Sequence, residues 1–221
     1  MKITPTAAQE ISLRKLFDGN HIEREQVISL HRPEMQEKMR NLIKAKQNSD
    51  KLLPILFADL GYASGEMRKN PENQFWRRTT IRALAAAVDG IIYCLKQTAL
   101  FAGKMSEYKF NDEELFLLSE EPVESESGKK MRRPVFRENI KYMFKLFYKV
   151  HRISCPTDFG HSGFNALCET YELRHRLMHP KSFFTFCVND DEKLKAGEAV
   201  AWLNEEIKKL LAACGNNIGN F

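Results

Sequence analysis

"GFNALCETYELRHRLMHP", residues Gly163 to Pro180, decides how the chain is read. Phe164, Leu167, Tyr171 and Met178 recur at helical steps, and at about 100° per residue they form one apolar stripe. Leu173 and Leu177 make a smaller stripe that faces away from the first. A helix covered on two sides is expected, by a second layer or by a second subunit. Ser162 is the expected N-cap, and Pro180 disfavours continuation. Arg174 and His175 flank the main stripe on opposite sides, and His179 follows His175 by one turn. Cations in such a position must reach solvent or find a polar partner, because unpaired buried charge is expensive.

The neighbouring segments also carry helical periods. Between Gln74 and Ala99, Ile81, Leu84, Val88, Ile91, Ile92 and Leu95 share one face, with alanines at 83 and 85–87 that favour helix. "FRENIKYMFKLFYKVHRI" sets Phe136, Ile140, Met143, Phe144 and Phe147 on one side and Arg137, Lys141, Lys145 and Lys149 on another. A last helix is expected from Ala199 to Cys214, ending before Gly215. A further peripheral one runs from Arg32 to Gln47, with Pro33 suited to a first turn. Residues 1 to about 29 are weakly patterned, and Ser119 to Pro134, rich in charge and nearly free of apolar residues, reads as an exposed loop. "SFFTFCV", after residue 181, fits either a short strand or a packed loop. The expected fold is all-α: a bundle of four to five main helices over residues 74–221, with residues 1–73 as an N-terminal helical extension packed on it.

Composition narrows the function classes. The chain of 221 residues has 34 Lys+Arg against 29 Asp+Glu, a net charge of +5 that permits a nucleic-acid partner without identifying one. Five widely spaced cysteines, Cys94, Cys155, Cys168, Cys187 and Cys214, with no C-x-x-C pair, argue against a disulfide framework or a zinc ribbon. Lys2, Glu10, Arg14, Lys15 and Asp18 interrupt the first twenty residues, so no signal peptide is expected. The apolar run "ALAAAVDGIIYCL" is broken by Asp89 and Gly90 and is too short for a bilayer. A soluble, cytoplasmic protein is expected.

Arg174, a polar residue directly after it, His179 and a following Pro, on the penultimate helix of an expected bundle, resemble the R-x(4 to 6)-H motif of the HEPN superfamily. The resemblance spans about residues 74–214 and rests on Arg174, His175 and His179. It implies a helical bundle and, in active members, a metal-independent endoribonuclease assembled at a homodimer interface. It also suggests a toxin–antitoxin or antiphage setting with a neutralising or defence-system partner. One departure concerns the toxin branch silenced by nucleotidylation of a tyrosine two positions after the motif His, since Lys181 stands there.

Such chemistry needs a base for the 2′-hydroxyl, an acid for the leaving 5′-oxygen and a cation for the phosphorane. Histidine suits the first two roles near neutrality, and the guanidinium fork suits the third. His179 is assigned to acid–base work, Arg174 to phosphate binding and His175 to orientation. On one ideal helix Arg174 and His179 lie about 140° and 7.5 Å apart. A twofold pair of helices, with Leu173 and Leu177 as apolar contact, would gather two copies of each around one groove. The line Arg137, Lys141, Lys145 and Lys149 is the candidate RNA track, its cations about 6 Å apart. Arg77, Arg78 and Arg82 are ambiguous between RNA contact and structure, and Arg77 and Arg78 oppose the dipole of a helix starting near them.

No cofactor and no metal is expected. Cys168, Glu172, His175 and His179 lie on one side of the wheel, but over three turns they cannot all reach one ion. Arg176 replaces the glutamate of H-E-x-x-H, and no G-x-S-x-G or glycine-rich phosphate loop is present. Cys168 is read as packing, and Asp89 as a hydrogen-bonded structural residue rather than a buried member of the site. The alternative to a nuclease is a non-catalytic dimerisation or nucleotide-binding module of the same fold.

Overall fold

The computed structural model describes residues 33–105, 108–119 and 135–217. They form helices α1 (Pro33–Lys69), α2 (Gln74–Met105), α3 (Asp112–Leu118), α4 (Phe136–Val150), α5 (Ser162–Met178), the single turn α6 (Phe183–Phe186) and α7 (Asp190–Asn217). The fold is an all-α bundle, and no strand occurs among the described residues. The expected strand or loop at "SFFTFCV" is instead the turn α6, where Ser182 and Thr185 cap each other reciprocally. Residues 1–32 and most of the acidic-then-basic loop, 120–134, lie outside the described residues.

Helix α1 begins at Pro33 as the sequence predicts but runs well past Gln47, straight through Pro54. A proline inside a helix removes one backbone bond, a cost that tertiary packing must offset. That packing comes from Leu53, Leu56, Phe57, Leu60, Ala63 and Met67, which line α1 at helical spacing and face α2. Gly90 of α2 permits the close approach, since a Cβ there would run into the Leu56 side chain. By length and composition α2 could cross a membrane, unlike the shorter apolar run noted in the sequence. Its apolar residues Leu84, Val88, Ile91 and Leu95 are nevertheless buried, and α1, α4, α5 and α7 all pack on it, the position of a central core helix.

Helix α7 starts nine residues before the predicted Ala199. The signal lies in "NDDE": Asn189 Oδ1 accepts from the Glu192 N–H, and the Glu192 carboxylate accepts from the Asn189 N–H, both at 2.9 Å. Gly215 falls within the last turns of α7 rather than beyond it.

Helix α5 is covered twice, but by the same chain. Its first half contributes Phe164, Ala166, Leu167 and Cys168 to the main core with α2, α4 and α7. Its second half contributes Leu173 and Leu177 to a smaller cluster with Ile81 of α2, Val188 in the segment before α7, and Ala196 of α7. Leu173 and Leu177, expected as contact between subunits, are therefore spent inside the chain, at 9% and 1% exposure. Met178, assigned to the buried stripe, is half exposed because the stripe leaves the core at the helix end. The N-cap is His161 rather than Ser162, its Nδ1 accepting from the Gly163 N–H at 3.0 Å.

Candidate functional site

The last turn of α5 emerges at the rim between α1, α2 and α6. Pro180 ends the helix, Met178 is its last residue, and His179 is the C-cap, its N–H still donating to the His175 carbonyl at 3.1 Å. His175 and His179 are both exposed, and Arg174 is partly so. Arg174 makes no hydrogen bond or ion pair among the described residues; its guanidinium lies 5.8 Å from the centre of the Tyr171 ring. It opens into a groove of about 490 Å³ lined by Leu52 and Leu56 of α1, by Arg82, Asp89 and Tyr93 of α2, and by Met178.

A second groove, of about 360 Å³, holds His175 with Glu172, Phe136 and Asn139. Asp89 borders both grooves and Tyr171 borders the second. The Tyr171 hydroxyl donates to Asp89 Oδ1 at 2.8 Å, and its ring stacks flat on Phe136 at 3.6 Å. Burial and the carboxylate it donates to push the Tyr171 phenol up to about 12, so it is a neutral donor at any ordinary pH. The His175 ring stands edge-on to Tyr171 at 5.9 Å. Asp89 is thus hydrogen-bonded, as read from the sequence, but exposed and on the wall between the Arg174 and His175 sides.

The remaining cations divide sharply. Arg176, between His175 and Leu177, donates to the Cys187 carbonyl and to Glu192, each at 3.0 Å, and so ties α5 to the start of α7. Arg77 is buried and donates to the Pro71 and Val188 carbonyls, to Glu72 and to Asp190. Its opposition to the α2 dipole is answered within the chain. Arg78 lies 4.1 Å above the Phe186 ring. Arg82 reaches the Leu177 carbonyl at 3.4 Å and thereby covers the open end of α5 beside His179.

The line on α4 lies elsewhere. Arg137 donates to Asn165 at 2.9 Å near the start of α5, and Lys141 pairs with Glu138 at 3.6 Å. Lys149 pairs with Glu114 at 2.8 Å, which raises the Lys149 pKa. Burial pushes Glu114 upward, but hydrogen bonds from Lys149, the Asn111 N–H and Tyr108 outweigh it and hold the carboxyl below its usual range. Lys145 is exposed. Three of the four proposed RNA contacts therefore already hold partners, and the helix carries them away from the α5 terminus.

Among the described residues no group of three or more His, Cys, Asp or Glu is arranged to hold a metal ion. Cys168 packs in the core, and burial raises its thiol pKa. What the sequence left ambiguous was Arg82, and what it missed was the Asp89–Tyr171 pair. The spacing of Arg82, Asp89 and Tyr93 along one face of α2 is the signal available for it. No known protein family, no curated protein and no solved structure matches the chain.

Proposed function

We propose that the chain is a metal-independent endoribonuclease of the HEPN type, working as a symmetric homodimer. The observation that carries this reading is the contrast within one helix end: Arg176 is tied down, while Arg174, His175 and His179 stand at an open rim beside Arg82. In the proposed reaction Arg174 holds the scissile phosphate and the charge that develops on it. His179 moves protons between the 2′-hydroxyl and the leaving 5′-oxygen, with its twofold mate taking the complementary role. His175, on the other side of Asp89, orients the sugar or a water by a hydrogen bond. Fragments ending in 2′,3′-cyclic phosphate and 5′-hydroxyl are expected. With Leu173 and Leu177 internal, apolar contact between copies falls to exposed side chains at the rim, Met178 first among them. The toxin or antiphage setting, with a restraining partner, belongs to the same proposal.

A non-catalytic nucleotide-binding module is the second reading, favoured by the groove itself. Two arginines, Tyr93 and the apolar side chains of Leu52, Leu56, Ala86 and Met178 around about 490 Å³, with Asp89 on one wall, suit a base and a phosphate held by the arginines. One experiment separates the two. Wild type and His179→Ala are incubated with single-stranded and structured RNA in EDTA, and the ends are analysed. Cyclic phosphate ends that vanish in the variant support the nuclease. Cleavage that requires magnesium and leaves 3′-hydroxyls would sink it. Nucleotide binding lost in Arg174→Ala, without any cleavage by wild type, would favour the module.

A further inference from the structure

Neither reading above accounts for α6. Its reciprocal cap closes a single turn that holds Phe183 and Phe184 outward, 76% and 84% exposed, with ring centres 6.0 Å apart. Phe186 points inward instead, onto the Leu173–Leu177 cluster, with Arg78 over its ring. The turn is thus anchored, and its two phenylalanines face solvent on a structured support. Large aromatic surfaces left in water are unfavourable and, when held in place, mark a binding surface.

The surroundings select the occupant. His179 and Lys181 precede the turn in the chain, and both are exposed. Arg78 and Arg82 approach it through Phe186, at 4.1 and 5.9 Å from that ring. Arg82 in turn shares the groove with Arg174. A polyanion with flat apolar faces is complementary to both features, and single-stranded nucleic acid is such a ligand, whereas a duplex hides its base faces.

We infer that Phe183 and Phe184 form a stacking platform for unpaired bases of single-stranded RNA, whose backbone follows Arg78, Arg82 and Arg174 past His179. The inference takes RNA as the ligand from the nuclease reading, but it concerns binding and stands or falls without cleavage. It also moves the RNA track from α4, where partners occupy most cations, to the α2–α5–α6 rim.

The test uses the full chain carrying His179→Ala, so that substrate survives, and fluorescence anisotropy with a short unstructured oligoribonucleotide and a duplex of equal length. Single-stranded RNA is expected to bind more tightly than the duplex. The Phe183→Ala/Phe184→Ala double variant should weaken single-strand binding by about tenfold per stacked base and leave duplex binding unchanged. Because both rings are exposed, thermal midpoint and circular dichroism should match the parent. Arg82→Ala should weaken both ligands and flatten the salt dependence. Unchanged single-strand affinity in the double variant, or no single-strand binding by the parent, would overturn the platform. A shift from dimer to monomer in sedimentation, with RNA affinity kept, would do so too and would assign the rings to a protein contact. If single strands need the rings but wild type cuts nothing, the platform survives and the nuclease reading fails. If wild type cuts RNA and the ring variant cuts and binds equally well, the reverse holds.

Discussion

At the start of α2, Arg77 is 3% exposed and donates to two carbonyls and two carboxylates; at the end of α5, Arg174 stands at a groove mouth near the Tyr171 ring and makes no hydrogen bond or ion pair among the described residues. Both are arginines on helices that pack on one another, and in sequence both sit among other basic residues. The first is a fastener that joins the α1–α2 turn to the segment leading into α7. Among the described residues the second holds no ion pair, so a phosphate can compete for it without first breaking one there. Arg176 repeats the fastener role two residues away, through Cys187 and Glu192. A cation's availability, rather than its presence in a cluster, separates a candidate site from scaffold.

The largest effect should come from breaking the fastener. Arg77→Ala takes the side-chain donor from the Pro71 carbonyl and one of two from the Val188 carbonyl, which keeps Gln74 Nε2, and frees Glu72 and Asp190; the loss of these charge-assisted bonds is expected to cost about 3 kcal/mol, read from chemical denaturation. Arg77→Lys, which keeps charge but loses the fork, should recover only part of it. Next, Gly163→Ala presses a methyl group against Trp202 where α5 meets α7. A loss of about 1–3 kcal/mol is expected, with the α5 rim disturbed along with stability.

A smaller effect tests how well ordered the open side is. Tyr171→Phe removes the bond to Asp89 but keeps the stack on Phe136, so a loss of about 1 kcal/mol is expected. The folded phenol value of about 12 lies above the unfolded value of about 10. Its contribution is therefore fully present below the unfolded value and is lost as pH rises through the folded one. In a tyrosinate absorbance titration one late-titrating tyrosine should disappear in Tyr171→Phe, and Asp89→Asn should bring that tyrosine to lower pH. An unchanged titration in both variants would mean the pair does not persist in solution. The smallest stability effect belongs to Arg174→Ala, within about 0.5 kcal/mol of wild type, while proposed cleavage falls by about a hundredfold or more. A stability loss comparable to that of Arg77→Ala would erase the contrast.

Helix period carried most of the fold into view. The apolar faces of α2, α4 and α5 are those of Ile81–Leu95, Ile140–Phe147 and Phe164–Leu167, because a three-and-four spacing has one way to be buried. Boundaries failed where local signals conflict with packing. The helix expected to end at Gln47 continues through Pro54, because Leu53, Leu56 and Leu60 pack on α2. The reciprocal cap of Asn189 and Glu192 starts α7 ten residues ahead of the apolar run from which that helix is expected.

The candidate site was legible in part for a physical reason. Residue type and spacing put Arg174, His175 and His179 on one helix end, since that depends only on the helix and on Pro180 terminating it. Which leucines face a partner, which arginines are free and which cations line α4 unpaired all depend on groups distant in the chain. Leu173 and Leu177 found Ile81 and Val188, Arg77 found Asp190, and Lys149 found Glu114. The sequence by itself therefore determined a helical chain with a basic, histidine-bearing helix end. The tertiary structure alone decided which of those charges remain open, because pairing is a contact between segments that no local spacing encodes.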